Sequence, residues 1–335
     1  MSGLFFDVLW FVKVIIPEIK AIIYLQNQGA SGDDGGEPRD EDSILEEFID
    51  LHEIDWIVVF AYFDETGMHS EAPDTVLAGY LFSKNDAKTF RQFYKEKLFP
   101  LLPINKHGKR IFHANKCCPD YGNSEYETLT RETRWHIADL VADATIQTVS
   151  LGCVVGIEKR EYAKAIANSP LLAELSGSEY TACLIRCIEN MAAWMNTENV
   201  KGRILYVFEA GCEHQEEATR FLVKISGSEE LKTRYRWHNY AFLDKDENVP
   251  QLFAPDLLAW EWQRFMRNRL NPNRKESRPR LSKLLTSRPH IKEYVSETGL
   301  GIRAIINTFY GVTTATKPLE ITNSVFKLKD FPNDK

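Results

Sequence analysis

Two kinds of hydrophobic pattern alternate along the chain. Compact, nearly unbroken apolar runs stand at Trp56–Phe63, Thr75–Phe82, Ile146–Ile157, Ile204–Phe208 and Trp237–Leu243. Bounded runs of this kind predict buried strands. Between them, apolar residues recur every three or four positions, which predicts helices over Asn85–Phe99, Tyr126–Thr145, Gly177–Asn196, Glu213–Ile225 and Asp256–Asn268. Ser83 or Asn85 caps the first of these, and Pro100 stops it. A turn-rich stretch joins the first two strands into a hairpin. The later strands alternate with helices, so the expected fold is α/β, a mixed sheet with helices on its faces. A last short helix is expected around Ile291–Val295, after an Arg- and Pro-rich stretch.

The ends of the chain read differently. Residues 4–25 are apolar but carry Asp7, Lys13, Glu18 and Lys20. A spanning helix wants about 20 residues with few or no charges. The segment is therefore expected to be a helix packed on protein, most simply a second copy of the chain, and membrane contact is disfavoured. Gln26–Asp42 has almost nothing apolar and reads as a flexible acidic linker. The main domain is expected to run from about 43 to 310. It opens where Ser43-Ile44-Leu45-Glu46 fits a capping box before a helix over Ile44–His52. Residues 311–335 form a tail.

Net charge is −7, so the chain as a whole is not a basic nucleic-acid binder. The charge is unevenly spread. Ten acids face one Arg between Asp33 and Glu53, and ten Lys or Arg face only Glu276 between Arg264 and Lys292. That basic segment offers Arg264, Arg267, Arg274, Lys275 and Arg278 as phosphate contacts for DNA or RNA. Its plain alternative is a solvated helix end. The six cysteines make no disulfide scaffold and suit a reducing, cytoplasmic setting. Cys183 and Cys187 fit core packing better than metal ligation, and His113 with Cys117 and Cys118 lacks a second ligand pair for zinc.

Three carboxylates change the picture. Asp64 ends the first strand in Phe63-Asp64-Glu65-Thr66-Gly67, Glu209 ends Arg203–Phe208, and Asp256 opens a helix in Ala254-Pro255-Asp256-Leu257. Acids at a sheet's carboxyl edge sit where α/β folds bind ligands. If the three converge, they make an oxygen site for a hard divalent cation, Mg2+ or Mn2+. Such ions clamp the oxygens of an in-line displacement at phosphorus. Glu65 is a further metal ligand only if a bend at Thr66-Gly67 turns it into the site, since neighbouring strand residues face opposite ways. His113, in Ile111-Phe112-His113-Ala114, is a candidate proton carrier. Gln251 is a candidate water- or nucleotide-orienting amide, or a plain loop residue.

These motifs resemble the family catalogued as domain of unknown function 3800. The matching stretches are Tyr62–Gly67, Val76–Ser83, Ile111–Ala114, Tyr206–Gly211 and Gln251–Trp260. The resemblance implies an RNase H-like fold and a metal-dependent nuclease, in some members serving phage defence or mobile elements. It implies catalytic roles for Asp64, Glu209 and Asp256, with His113 nearby. Thr66 stands where Ser is usual, and Pro255 before the last Asp is a larger departure. Residues 1–42 lie outside the resemblance. The expected function is thus hydrolysis of phosphodiesters with Mg2+ or Mn2+. Its rivals are a non-catalytic RNase H-like binding module and a regulator docked through residues 1–25. No phosphate loop, dinucleotide fingerprint or Gly-x-Ser-x-Gly elbow is present.

Overall fold

The computed structural model describes residues 58–69, 71–117, 124–167, 177–246, 248–270 and 278–295. The expectations for 1–42, for Ile44–His52, for Arg274 and Lys275, and for 311–335 lie outside these residues. Among the described residues, no helix is long and apolar enough to cross a membrane.

Six strands form one sheet: β1 Val58–Thr66, β2 Asp74–Ser83, β3 Leu151–Glu158, β4 Arg203–Glu209, β5 Trp237–Leu243 and β6 His290–Val295. Their order is β5-β4-β1-β2-β3-β6. Only β2 runs against the rest, antiparallel to both β1 and β3. The parallel strands β1, β4 and β5 therefore end on one edge, at Thr66, Glu209 and Leu243.

The helices are α1 Lys84–Phe93, α2 Arg131–Thr148, α3 Lys159–Ala167, α4 Glu179–Thr197, α5 Gln215–Ser226, α6 Glu229–Arg234, α7 Phe253–Leu270 and α8 Pro279–Ser287. Side chains alternate across a pleated strand. Tyr62 accordingly meets Phe82, and Phe82 meets Phe90 of α1, on one face, through edge-to-face rings 5.6 and 5.8 Å apart. Phe63 and Gly79 face Met191 of α4 on the other. Helices thus cover both faces, and the architecture is the RNase H-like mixed α/β sheet expected.

Three local expectations are corrected. The helix over Tyr126–Thr145 is a 3-10 turn, Glu125–Thr128, followed by α2. Thr130 restarts the helix by accepting from the Thr133 amide at 3.2 Å. The Thr145 and Thr148 hydroxyls donate to the carbonyls of Val141 and Ala144, both at 2.7 Å. Their bonds belong to a helix that runs on through Ile146, so the strand begins only at Leu151. The helix around Ile291–Val295 is strand β6, paired parallel with β3 from Gly152↔His290 to Ile157↔Val295. A free sheet edge outweighs the weak propensity of six residues. The Pro-rich stretch before it contains α8, with Pro279 in its first turn.

Gly79 stands level with Phe63 across β1 and β2, and a Cβ there would lie 2.4 Å from the Phe63 ring. The ring fills the space the glycine leaves and fixes the residue just before Asp64. Gly79→Ala is expected to destabilise the fold by about 1–3 kcal/mol through overpacking. A chemical-denaturation midpoint, lowered at unchanged slope, checks it.

Candidate active site

The edge where β1, β4 and β5 end carries the acids. Phe63 is level with Phe208, and their rings stack at 5.0 Å. The next residues on the two strands, Asp64 and Glu209, therefore share the opposite face, the one that α7 covers. Asp256 sits in the first turn of α7, where the helix dipole favours an anion. Pro255 suits that turn, because an amide there would find no partner within the helix.

Two of the acids are held by backbone amides. Asp64 Oδ1 accepts from the Glu65 amide at 2.7 Å. Asp256 Oδ2 accepts from the Ala114 amide at 3.0 Å. The loop that supplies Ala114 is itself fixed. Tyr94 donates to the Arg110 carbonyl at 3.0 Å and Tyr126 to that of Ile111 at 2.9 Å. Phe112 packs against Phe253 at 5.9 Å between ring centres. This anchoring sets His113 beside the acids, within electrostatic reach of Asp256 and Glu209. Burial, then the nearby ammonium of Lys245, lowers the pKa of His113.

Lys245 occupies the focus of the three acids, a place that no sequence motif marks. Its Nζ stands 2.5 Å from Asp64 Oδ2, 3.0 Å from Glu209 Oε2 and 3.1 Å from Asp256 Oδ2. Its side chain is only 4% exposed. Lys245 lies two residues beyond β5, whose end pairs with that of β4 through the Ala210 amide and Leu243 carbonyl at 2.9 Å. An isolated Lys between Asp244 and Asp246 reads as a solvated loop residue. Only the order of β4 and β5 shows that its stem reaches back under the sheet edge.

The charges respond to one another. Burial pushes Asp64 well above the usual carboxylate range, and Glu209 and Asp256 add to this against the opposing pull of Lys245. Burial would raise Glu209 too, but Lys245 and a hydrogen bond with Asp64 hold it below its usual value. Burial disfavours the charged form of Lys245, yet Asp256, Asp64 and Glu209 together hold its pKa well above normal. With three carboxyls around one ammonium, the most enclosed acid keeps its proton longest. Side-chain exposure rises from 3% at Asp64 through 13% at Asp256 to 21% at Glu209, so the site opens on the Glu209 side.

The corner after Asp64 is tied to α7. Thr66 Oγ1 donates to Gln263 Oε1 at 3.4 Å, and Gln263 Nε2 donates to Asp74 Oδ1 at 3.1 Å. Gly67 takes φ +81°, and a Cβ there would lie 2.0 Å from the Asp74 carbonyl oxygen. Only glycine fits that approach. Glu65 faces the α4 side, where it acts electrostatically on Tyr180 and Cys212. Its Oε2 is buried without a hydrogen bond. Burial, then Glu209, raises its pKa to about 8. Gln251 is 2% exposed and donates to the Ala87 carbonyl at 2.9 Å, a structural contact.

The basic segment is partly turned inward. Glu261 is 1% exposed on α7, and Arg278 and Arg280 clasp its two oxygens at 3.0 and 2.9 Å. The guanidinium groups of Arg264 and Arg278 both lie over Trp260, 4.9 and 5.1 Å from the ring centre. Arg267 pairs with buried Asp74 at 3.8 Å.

As they stand, no three or more His, Cys, Asp or Glu side chains among the described residues are gathered closely enough to hold a metal ion. The donor chemistry nonetheless fits a hard cation: three carboxylate oxygens, from three elements, already coordinate one positive charge.

No protein-family model matches the chain, and no curated protein does. Among solved structures it resembles the RNase HII of a PCNA:RNase HII complex from Archaeoglobus fulgidus. That pair shares 14% identity over 68% of this chain and 84% of the other, with a TM-score of 0.33. It also resembles Bst-RNase HIII in complex with Mn2+, at 12% identity over 72% of this chain and 61% of the other, with a TM-score of 0.36. Similarity of that degree carries no argument about activity, and the fold class rests on the strand order above.

Two predictions test these electrostatics. Glu65 binds its proton more tightly folded, with a pKa of about 8, than unfolded near 4.5. It therefore costs stability progressively as pH rises between those values. Glu65→Gln should match wild type near the lower value and gain on it as pH approaches the upper one, in melting curves across that range. Replacing Arg278 and Arg280 together by Met strands Glu261 and should cost roughly 3–5 kcal/mol, most of it recovered when Glu261→Met is added. Urea unfolding of the double and triple variants checks this.

Proposed function

We propose that this chain is a divalent-metal-dependent phosphodiester hydrolase acting on nucleic acid, with Mg2+ or Mn2+ held by Asp64, Glu209 and Asp256. The observation that carries the reading is the convergence of those three carboxylates on one cation. The resemblance to the family of domain of unknown function 3800 points the same way, as does the RNase H-like sheet. A bound divalent ion supplies Lewis-acid stabilisation of the in-line displacement at phosphorus.

The chain's own residues divide the remaining work. Asp64, fixed by the Glu65 amide, and Asp256, fixed by the Ala114 amide, present carboxylate oxygens to the site. Glu209 lines the solvent side, from which a phosphodiester enters. His113, its pKa lowered by burial, is placed to take up a proton at the site. Arg264, Arg267, Arg274 and Lys275 are the proposed backbone contacts, which bind without regard to sequence. Arg278 joins them only at the expense of its pairing with Glu261. The buried free thiols Cys117, Cys153, Cys183 and Cys187 suit a reducing, cytoplasmic setting. Assembly through residues 1–25 belongs to the same proposal.

A second reading is a non-catalytic RNase H-like module. What favours it is Lys245, which compensates the acids without any metal.

Asp64→Asn separates the two. It is expected to lower Mn2+- or Mg2+-dependent cleavage of a labelled oligonucleotide by at least about a hundredfold, more than loss of a supporting partner gives. Stability without metal should change by less than about 1 kcal/mol, since relief of repulsion among the acids offsets one lost Lys245 contact. Activity near the wild-type level would refute the assignment.

A further inference from the structure

Lys245 does more than accompany the acids. Its ammonium contacts all three proposed metal ligands at 2.5–3.1 Å while only 4% of its side chain is exposed. It reaches the site from a short loop that is itself tied down. Asp246 Oδ1 accepts from the Asn248 amide at 2.8 Å, and Arg91 donates to the Asn248 carbonyl at 2.7 Å. Asp246 and Asn248 are thus anchored, so a shift of the Lys245 ammonium would draw on the four-carbon stem of the lysine. A second cation cannot share that focus. Like charges at contact distance repel strongly in a poorly solvated site, and the oxygens that would bind the ion are those Lys245 now holds. A buried acid cluster without any cation is unfavourable in turn, because clustered carboxylates resist ionising together.

We propose that Lys245 is the resident cation of the metal-free site: its Nζ keeps the three carboxylates converged and swings out as a divalent ion enters. The inference rests on the metal-site reading above and adds to it the residue that controls occupancy. Lys245 is in this sense a positioning residue. It holds the ligands in place between turnovers and sets a threshold of metal concentration below which the site stays closed.

The test uses the full chain, with Mn2+ as the probe and calorimetric titration as the readout. Lys245→Met keeps the length of the stem and removes the charge. It should bind Mn2+ at least tenfold more tightly than wild type and melt at a lower temperature without metal. Added Mn2+ should raise its melting temperature by more than that of wild type. Lys245→Arg, which keeps a cation at the focus, should bind no more tightly than wild type. Equal, measurable Mn2+ affinity in wild type and Lys245→Met would overturn the inference and leave the metal site standing. No Mn2+ binding in either would overturn both.

If Lys245→Met does not fold, labelling of the wild-type chain decides the matter. An amine-reactive reagent, read by mass spectrometry, should modify Lys245 several-fold faster with saturating Mn2+ than without. Lys109, on the surface beside Asp246, serves as the unchanged reference. A Lys245 rate that does not move with Mn2+ would overturn the inference.

Discussion

Three buried or half-buried carboxylates share one corner of a protein far more easily when a positive charge sits among them. Here that charge is the ammonium of Lys245, and much of the architecture serves to bring the four groups together. Parallel β1, β4 and β5 end on one edge and deliver Asp64, Glu209 and, two residues on, Lys245. The first turn of α7 delivers Asp256. The loop 110–114, pinned by two tyrosine hydroxyls, supplies the amide that holds Asp256 and seats His113 alongside. The cluster is therefore a product of topology: each member comes from a different element, and no two of the three acids are close in sequence.

The same helix couples site and scaffold. Asp256 and Gln263 lie two turns apart on α7, one at the acid cluster and the other clamped to Thr66 and Asp74. Glu261 on that helix is neutralised by Arg278 and Arg280, which lie next to or on α8. A charge pair of this kind adds little net stability over an apolar equivalent, yet breaking it is costly. It ties the basic segment to α7 and spends two of its cations on the protein's own interior. What remains available for phosphate is narrower than the run of ten basic residues suggests.

Much of this was legible in the sequence. Apolar runs marked β1, β2, β4 and β5 closely, because buried strands need continuous hydrophobicity. Asp64 and Glu209 stood out because a carboxylate at the end of such a run requires a partner, and Asp256 because it opens a helix directly after Pro255. The sequence could not reveal the partner. Lys245 sits in an ordinary charged loop, and its role depends on the pairing of β4 with β5, a contact over about thirty residues. The misjudged stretches share that origin. Residues 290–295 become a strand only because the edge of β3 is open to them. The inward turn of Arg278 depends on Glu261, a buried acid whose neighbours in the sequence, Trp260 and Trp262, signal packing rather than charge. Local pattern fixed the elements; tertiary contact assigned the charges.

In the proposed site Asp64, Glu209 and Asp256 hold one divalent cation together. Anomalous diffraction from a crystal soaked in Mn2+ tests it most directly. The expected result is an anomalous peak bounded by oxygens of all three carboxylates, with the Lys245 ammonium moved away from its present contacts. A peak elsewhere, or none while Lys245 still bridges the acids, would contradict it.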